Sequence, residues 1–253
     1  MLSTGSQSSR GAISGAVDGA ILGIETATDV VSVAVGDRGR VLGGSWLRAR
    51  RSHAERLVPA ISNLLHEAGV ELREVAVVAV DVGPGVFTGI RVGVATAKSL
   101  GLALGVGVLP VSSLDVLTWA AKDAGWRGSV CSVVDARRGE VFVGCFDRSN
   151  ESLSTTLLKP AELSRHLVAI EPPLLVVGDG ALRYRSEFDS LPSVSVAGEG
   201  LATLSATALV SMATERLSSG VAPREPSAIQ ALYMRDADAK INWVQRDKRP
   251  VAS

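Results

Sequence analysis

The chain of 253 residues carries 26 basic and 26 acidic side chains, so its formal net charge is zero. Because neutralised phosphates supply most of the affinity for nucleic acid, a chain without a basic excess is not expected to bind nucleic acid strongly by itself. Aromatic residues make up only 4% of the chain, which also argues against stacking platforms for bases.

The first half of the chain predicts three strands joined by short turns, followed by alternating helices and strands. Predicted strands lie at residues 21–25, 30–35, 41–47, 75–80 and 106–109. Ser52 and Glu55 fit a capping box at the start of a helix that ends before Gly69. His53 beside them is interpreted as an exposed polar residue, in preference to a lone functional imidazole. A glycine-rich loop, residues 83–89, precedes a second, apolar helix that runs to about residue 104.

The second half repeats this mixture of strands and helices. A helix to about residue 121 and a hairpin of strands at 129–135 and 140–146 are followed by a strand at 174–177. Further helices are predicted near residues 160–168, 181–188 and 206–217. We therefore expect an α/β protein with an N-terminal lobe at 20–110, a C-terminal lobe at 111–222, and a segment, 223–249, that packs back on the first lobe.

The remaining signals concern location. Residues 1–19 are rich in Ser, Gly and Ala and lack the apolar run of a signal peptide, so we expect a disordered tail. No stretch reaches the roughly 18 apolar residues of a membrane span. Cys131 and Cys145 lack metal-ligand spacing and predict two buried thiols in a reducing compartment. Together these features predict a cytoplasmic protein without contact to a membrane.

Four sequence blocks, taken in order, resemble the TsaB (YeaZ) family. They lie at residues 24–28, 52–59, 83–93 and 135–142, and the third, GPGVFTGIRVG, is the most specific. The resemblance implies a two-lobed fold of the actin-like ATPase (sugar kinase, chaperone and actin) class, in degenerate form. It also implies a subunit of the machinery that makes threonylcarbamoyladenosine (t6A) in tRNA, a subunit without catalytic residues, metal or cofactor of its own.

The same resemblance implies the partners. They are the catalytic paralogue TsaD and the ATPase subunit TsaE, with tRNA bound only through the complex and a homodimer when the chain is alone. The complex would transfer a threonylcarbamoyl group to N6 of adenosine 37 in tRNAs that read ANN codons. Two other readings stay open: a stand-alone ATP-dependent enzyme or metallopeptidase on the same fold, and a homodimeric module with an unrelated binding role.

A degenerate phosphate loop is the first candidate site. Glu25, Thr26, Ala27 and Thr28 stand where actin-like ATPases carry their first phosphate loop, and Glu25 replaces the usual Asp. The longer side chain is expected to crowd a phosphate or its metal. The glycine-rich loop that follows at 83–89 either holds an anion on backbone amides or permits a tight turn between a buried strand and a helix.

The metal site of the catalytic paralogue is absent from this sequence. That site is a pair of histidines one helical turn apart, and the matching positions here are Ser113 and Leu117. Asp135, Arg137 and Glu140 form a charged group in the predicted hairpin, which is interpreted as a solvated loop with a structural or partner-facing role left open.

Two surfaces are candidates for contact with partners. Small and apolar residues recur at helical spacing along the first two helices, and either the chain's own sheet or a second subunit covers them. The proposed partner-binding residues are Leu57, Ile61, Leu64, Gly89, Gly93, Ala97 and Gly101. The second surface is an arginine cluster that contacts tRNA or an acidic partner, or is simply solvated; its members are Arg48, Arg50, Arg51 and Arg56.

Overall fold

A computed structural model describes residues 18–49, 52–147 and 151–234. The predicted disordered tail before residue 18, Arg50 and Arg51, and the end of the returning segment after residue 234 lie outside these described residues.

The described residues form ten strands and six α-helices, joined in places by short 3-10 turns. The strands are β1 (Ala20–Glu25), β2 (Val30–Asp37), β3 (Arg40–Arg48), β4 (Val75–Asp81), β5 (Gly107–Val111), β6 (Ser129–Arg137), β7 (Glu140–Phe146), β8 (Glu151–Leu158), β9 (Leu174–Val177) and β10 (Val194–Val196). The helices are α1 (His53–Ala68), α2 (Phe87–Leu104), α3 (Ser113–Asp123), α4 (Pro160–Leu167), α5 (Asp179–Arg183) and α6 (Ala206–Ser218).

The strands form two five-stranded sheets with the same topology. The first sheet has the order β3-β2-β1-β4-β5, and the second has the order β8-β7-β6-β9-β10. In each sheet the first three strands form an antiparallel meander, and the last two run parallel to the first. Two repeats of one mixed sheet, each with its own helices, are the two-lobed arrangement that the sequence predicted.

Helices cover both faces of the first sheet. A Cβ at Gly43 would lie 3.2 Å from Leu64 of α1, and a Cβ at the next residue, Gly44, would lie 2.6 Å from Thr207 of α6. Since successive residues of a strand point to opposite faces, α1 and α6 lie on opposite sides of this sheet. The sequence placed α6 in the second lobe, within residues 111–222, and its packing on the first sheet corrects that assignment.

The segment after α6 also lies along the first lobe. Val108 of β5 and Arg224 form an isolated antiparallel bridge, and Lys98 of α2 donates hydrogen bonds to the carbonyls of Ser227 and Ile229. Beyond them, the Leu232 N–H donates to the Val82 carbonyl at 2.7 Å. The chain therefore ends its described part against β4, β5 and α2.

Three local expectations need correction. Ser52 precedes α1 but its hydroxyl donates to the Ala49 carbonyl instead of capping the helix, so the capping box is wrong. Strands β8 and β10 were not predicted, because β8 has only three apolar residues among eight and β10 has only three residues. Cys131 and Cys145, expected as separate thiols, face each other across β6 and β7 and form a disulfide.

Candidate functional site

The loop that follows β1 is packed against the chain's own atoms. The Ala27 N–H donates to Glu25 Oε1 at 2.6 Å, and the Ala27 carbonyl accepts from the Val86 N–H at 2.7 Å. The Thr26 hydroxyl donates to the Gly89 carbonyl at 2.8 Å. Side chains of residues 25–28 are all buried. These four residues, the predicted degenerate phosphate loop, thus use several of their polar groups to hold the glycine-rich loop in place.

The glycines after β4 allow this close approach. A Cβ at Gly85 would overlap the Ala27 carbonyl, and a Cβ at Gly89 would overlap the Thr26 carbonyl. Between the two readings of the glycine-rich loop, the structure thus supports the tight turn that lets backbone meet backbone.

His53 bridges α1 and the same loop. Its Nε2 lies 2.8 Å from the Thr28 carbonyl oxygen, and the side chain is only 2% exposed. This corrects the interpretation of His53 as an exposed polar residue. Nothing local in the sequence indicated the contact, because the two residues are 25 positions apart.

Two buried acids meet beneath the loop. Glu25 and Asp81 are fully buried, and Glu25 Oε2 and Asp81 Oδ2 each lack a hydrogen-bond partner among the described residues. Burial raises the pKa of Glu25 well above its usual value, and the charge of Asp81 adds to the rise; burial also raises the pKa of Asp81. One proton held between the two carboxyls avoids two like charges in an apolar environment.

Asp81 is a site residue that the sequence reasoning missed. Its Oδ1 accepts from the Gly83 N–H and from the Ser113 hydroxyl, both at 2.7 Å, and so joins the end of β4 to the start of α3. The sequence did contain a signal for this residue, because Asp81 is a single acid at the end of an otherwise apolar strand, VAVVAVD.

The hairpin between β6 and β7 connects the two halves of the molecule. Arg137 forms an ion pair with Asp29 at 2.7 Å and a second with Asp135 at 3.3 Å, and Arg183 also reaches Asp135 at 3.3 Å. Asp135 is only 5% exposed and its N–H donates to Asp179, whose pKa burial raises. The charged hairpin is therefore part of a network between the lobes, which favours the structural role left open over a solvated loop.

The positions of the missing metal ligands are occupied by internal contacts. Ser113 is fully buried and its hydroxyl donates a hydrogen bond to Asp81. Leu117 packs against Gly178, where an added Cβ would lie 3.0 Å from the Leu117 side chain. Among the described residues, no group of three or more His, Cys, Asp or Glu side chains has the geometry of a metal site.

The small-residue stripe faces the protein's own core. All seven residues proposed to bind a partner are buried in the single chain, namely Leu57, Ile61, Leu64, Gly89, Gly93, Ala97 and Gly101. A Cβ at Gly93 would overlap the Thr26 hydroxyl, and one at Gly101 would lie 2.8 Å from Pro226. This corrects the expectation that these side chains themselves form the contact surface, because β1 and the returning segment already cover them.

The outer face of the same two helices is exposed and carries large apolar side chains among polar residues such as Ser62 and Ser99. Val58 of α1 is 60% exposed and Leu102 of α2 is 66% exposed, with Ala95, Ser99 and Ala103 exposed between and beside them. A cavity of about 330 Å³ lies between the helices; its lining includes Val58, Ile61, Ser62, Leu65, Thr96 and Leu100. This outer face of α1 and α2 offers a groove and two apolar side chains to another molecule.

The comparisons with known proteins agree on one family. Residues 47–243 match the family model described as TsaD, tRNA N6-adenosine threonylcarbamoyltransferase. The chain is 26% identical over 234 residues to the tRNA threonylcarbamoyladenosine biosynthesis protein TsaB of Bacillus subtilis, covering 90% of this chain and 99% of that protein. It is 30% identical over 172 residues to TsaB of Buchnera aphidicola, covering 66% of this chain and 81% of that protein. The chain belongs to this family, in its TsaB (YeaZ) branch.

A solved structure supports the same assignment. YeaZ from Pseudomonas aeruginosa has a TM-score of 0.71 and 28% sequence identity, with 85% of this chain and 99% of that chain covered. The predicted actin-like fold class is confirmed for this TsaB-family chain. Within the described ranges, none of its helices has the length and apolarity needed to cross a lipid bilayer.

The predicted arginine cluster is only partly described in this TsaB-family structure. Arg48 at the end of β3 is exposed, and Arg56 in α1 donates from Nε to the Ser52 hydroxyl at 2.8 Å. Arg50 and Arg51 lie outside the described residues. Contact of this cluster with tRNA or an acidic partner stays a prediction.

Proposed function

We propose that this chain is the non-catalytic subunit of a complex that transfers a threonylcarbamoyl group to N6 of adenosine 37 in tRNAs that read ANN codons. A TsaD-type paralogue supplies the catalytic site, and a TsaE-type ATPase joins the complex. The chain binds tRNA through the assembled complex, in the cytoplasm. Family membership supports the role in t6A synthesis, and the following observations support the division of labour.

The outer face of α1 and α2 carries the proposal. Val58 and Leu102 each expose well over half of the residue to water. Exposed apolar surface is unfavourable in free energy, and contact with the apolar surface of a partner would bury it. The small side chains of Ala95, Ser99 and Ala103 let a facing helix come close. When the paralogue is absent, a second copy of the chain uses the same face, which gives a homodimer.

The absence of suitable catalytic groups favours the scaffold over the two enzyme alternatives. Leu117 has no atom that binds a metal, and the Ser113 hydroxyl is committed to Asp81. The phosphate-loop position Glu25 is fully buried, in contact with Ala27 and Asp81, and does not point into an open nucleotide cleft. A role for this chain in shaping or supporting its partner's site requires neither group.

Reconstitution tests the proposal. We expect t6A to form only when the chain, its TsaD-type paralogue and the ATPase are all present, and each subunit omitted in turn to abolish the product. Val58→Asp and Leu102→Asp, which place a charge on the outer face of α1 and α2, are expected to weaken binding to the paralogue by about tenfold or more each.

Val168→Asp is the matched control, because Val168 is 66% exposed but follows α4 in the second lobe. It is expected to bind the paralogue like the unmodified chain. Binding that survives both changes on the outer face, in variants that remain folded by circular dichroism, excludes this face as the partner surface. Formation of t6A by this chain without the paralogue excludes the scaffold role.

A further inference from the structure

The outer edge of the first sheet is open at β3. Strand β3 pairs with β2 on one side only, and no described strand pairs with its other side. The opposite edge strand, β5, differs because Arg224 bridges to it. An open edge offers a row of backbone N–H and C=O groups to an added strand.

Apolar side chains cluster on this same strand. Val41 is 39% exposed, Leu42 is 47% exposed and Trp46 is 69% exposed. Trp46 lies on the α6 side of the sheet, two residues from Gly44, which faces Thr207. An exposed tryptophan beside an open strand edge supplies an apolar anchor for a neighbouring chain.

The charge around β3 is mainly positive, although Asp37 of β2 lies opposite Arg40. Residues 38–54 contain five arginines and no acidic residue, although the whole chain is neutral. Arg40 and Arg48 stand at the two ends of β3, and within the described part of the chain neither makes an ion pair. The strand edge thus has cations at its ends and apolar groups between them.

We propose that β3 binds an extended segment of another protein, added to the sheet as a sixth strand, in which acidic residues flank an apolar centre. The backbone edge supplies the hydrogen bonds, Trp46 and Leu42 supply apolar contact, and Arg40 and Arg48 select the acidic ends. This surface is separate from the outer face of α1 and α2, so a segment added to β3 leaves that face free.

A second copy of the chain is a poor occupant of this edge. Antiparallel pairing of β3 with its own copy about Gly44 places Arg40 opposite Arg48 of the copy, and like charges directly opposite each other are destabilising. The chain's own ends both carry a net positive charge, which disfavours them beside Arg40 and Arg48. Residues 1–17 contain one arginine and no acid, and residues 235–253 contain five basic and three acidic residues.

RNA fits the spacing of the charges less well than an acidic peptide does. Arg40 and Arg48 are about 26 Å apart along a strand that rises about 3.3 Å per residue. Each strand of a nucleic-acid duplex carries a phosphate about every 3.4 Å of helix axis, so most of its charges over this length would face Val41, Leu42 and Trp46 without a cation.

Fluorescence anisotropy with the purified full chain tests the proposal. The probe is a nine-residue peptide with two glutamates at each end and alternating valine and threonine between them; the comparison probes replace glutamate by lysine, or are a nine-nucleotide uridine RNA. We expect the glutamate peptide to bind about tenfold or more tightly than either comparison probe. Bound peptide should also slow hydrogen exchange of β3 amides.

Variants connect that binding to β3. Arg40→Glu combined with Arg48→Glu is expected to remove the preference for the glutamate peptide, and Trp46→Ser to weaken binding about tenfold. The control, Arg165→Glu combined with Arg185→Glu, reverses two exposed arginines of the second lobe and should bind like the unmodified chain. All three variants are expected to keep their binding to the TsaD-type paralogue. A negative result here would therefore refute the β3 proposal without refuting the proposed function.

Three outcomes overturn the inference. Tighter binding of the RNA makes β3 a nucleic-acid surface. Equal binding of the glutamate and lysine peptides means that the arginines do not select the partner. No binding of either peptide at millimolar concentration means that Arg40 and Arg48 merely protect the strand edge from association.

Discussion

Replacing Gly93 by alanine tests whether the small-residue stripe of α2 packs on the chain's own β1. In an exposed helix interior this change stabilises by about 1 kcal/mol, because alanine is the better helix former. Here the new methyl group overlaps the hydroxyl of Thr26, a fully buried residue. The Thr26 hydroxyl must then leave the Gly89 carbonyl, to which it donates at 2.8 Å.

The contacts set the expected magnitude. Overpacking a core typically costs about 1–3 kcal/mol, and leaving a buried hydrogen-bonding group without its partner costs about 1–3 kcal/mol. After subtraction of the helix preference, we expect Gly93→Ala to lower the free energy of unfolding by about 3 kcal/mol. In a chain of this size, that corresponds to a fall in Tm of about 6–12 °C.

A double-mutant cycle identifies the cause. Urea denaturation of Thr26→Ala, Gly93→Ala and the double variant measures the coupling between the two sites, which we expect to be about 1–3 kcal/mol because loss of the hydroxyl makes room for the methyl group. Ser99→Ala, an exposed position of α2, is the control and should change stability by less than about 0.5 kcal/mol. A Gly93→Ala chain that is more stable than the unmodified one refutes the packing argument. It would mean that the small residues of α2 do not pack against β1.

Two further predictions concern the buried acids and the metal. An acid whose pKa is raised on folding adds stability that is complete below its unfolded pKa of about 4.3 and is lost as the pH rises through its folded pKa. Glu25→Gln removes that loss, so its free energy of unfolding in urea should exceed that of the unmodified chain by about 1 kcal/mol or more at pH 8 but not at pH 4. A difference that does not change with pH contradicts the role of the Glu25–Asp81 pair. Because Ser113 and Leu117 replace the histidine pair, elemental analysis of the purified chain should find no stoichiometric iron or zinc, and one bound metal per chain contradicts this.

The sequence by itself determined what depends on local pattern. Short apolar runs and turns predicted the meander of β1, β2 and β3, and the unbroken apolar run predicted buried β4. The alternation in β2 predicted burial on one face, whereas the structure buries both faces. The four family blocks added the fold class and the role in t6A synthesis, which the comparisons confirm.

The tertiary structure alone decided which partner each side chain meets. Periodicity shows that one side of α2 is apolar, but not whether β1 or another subunit covers it, and the stripe containing Gly93 proved to face Thr26. The Glu25–Asp81 pair and the contact of His53 with Thr28 join residues 56 and 25 positions apart, so no local pattern records them. Contacts of this kind arise only when separate strands and helices come together, and their energy depends on burial that a single segment does not have.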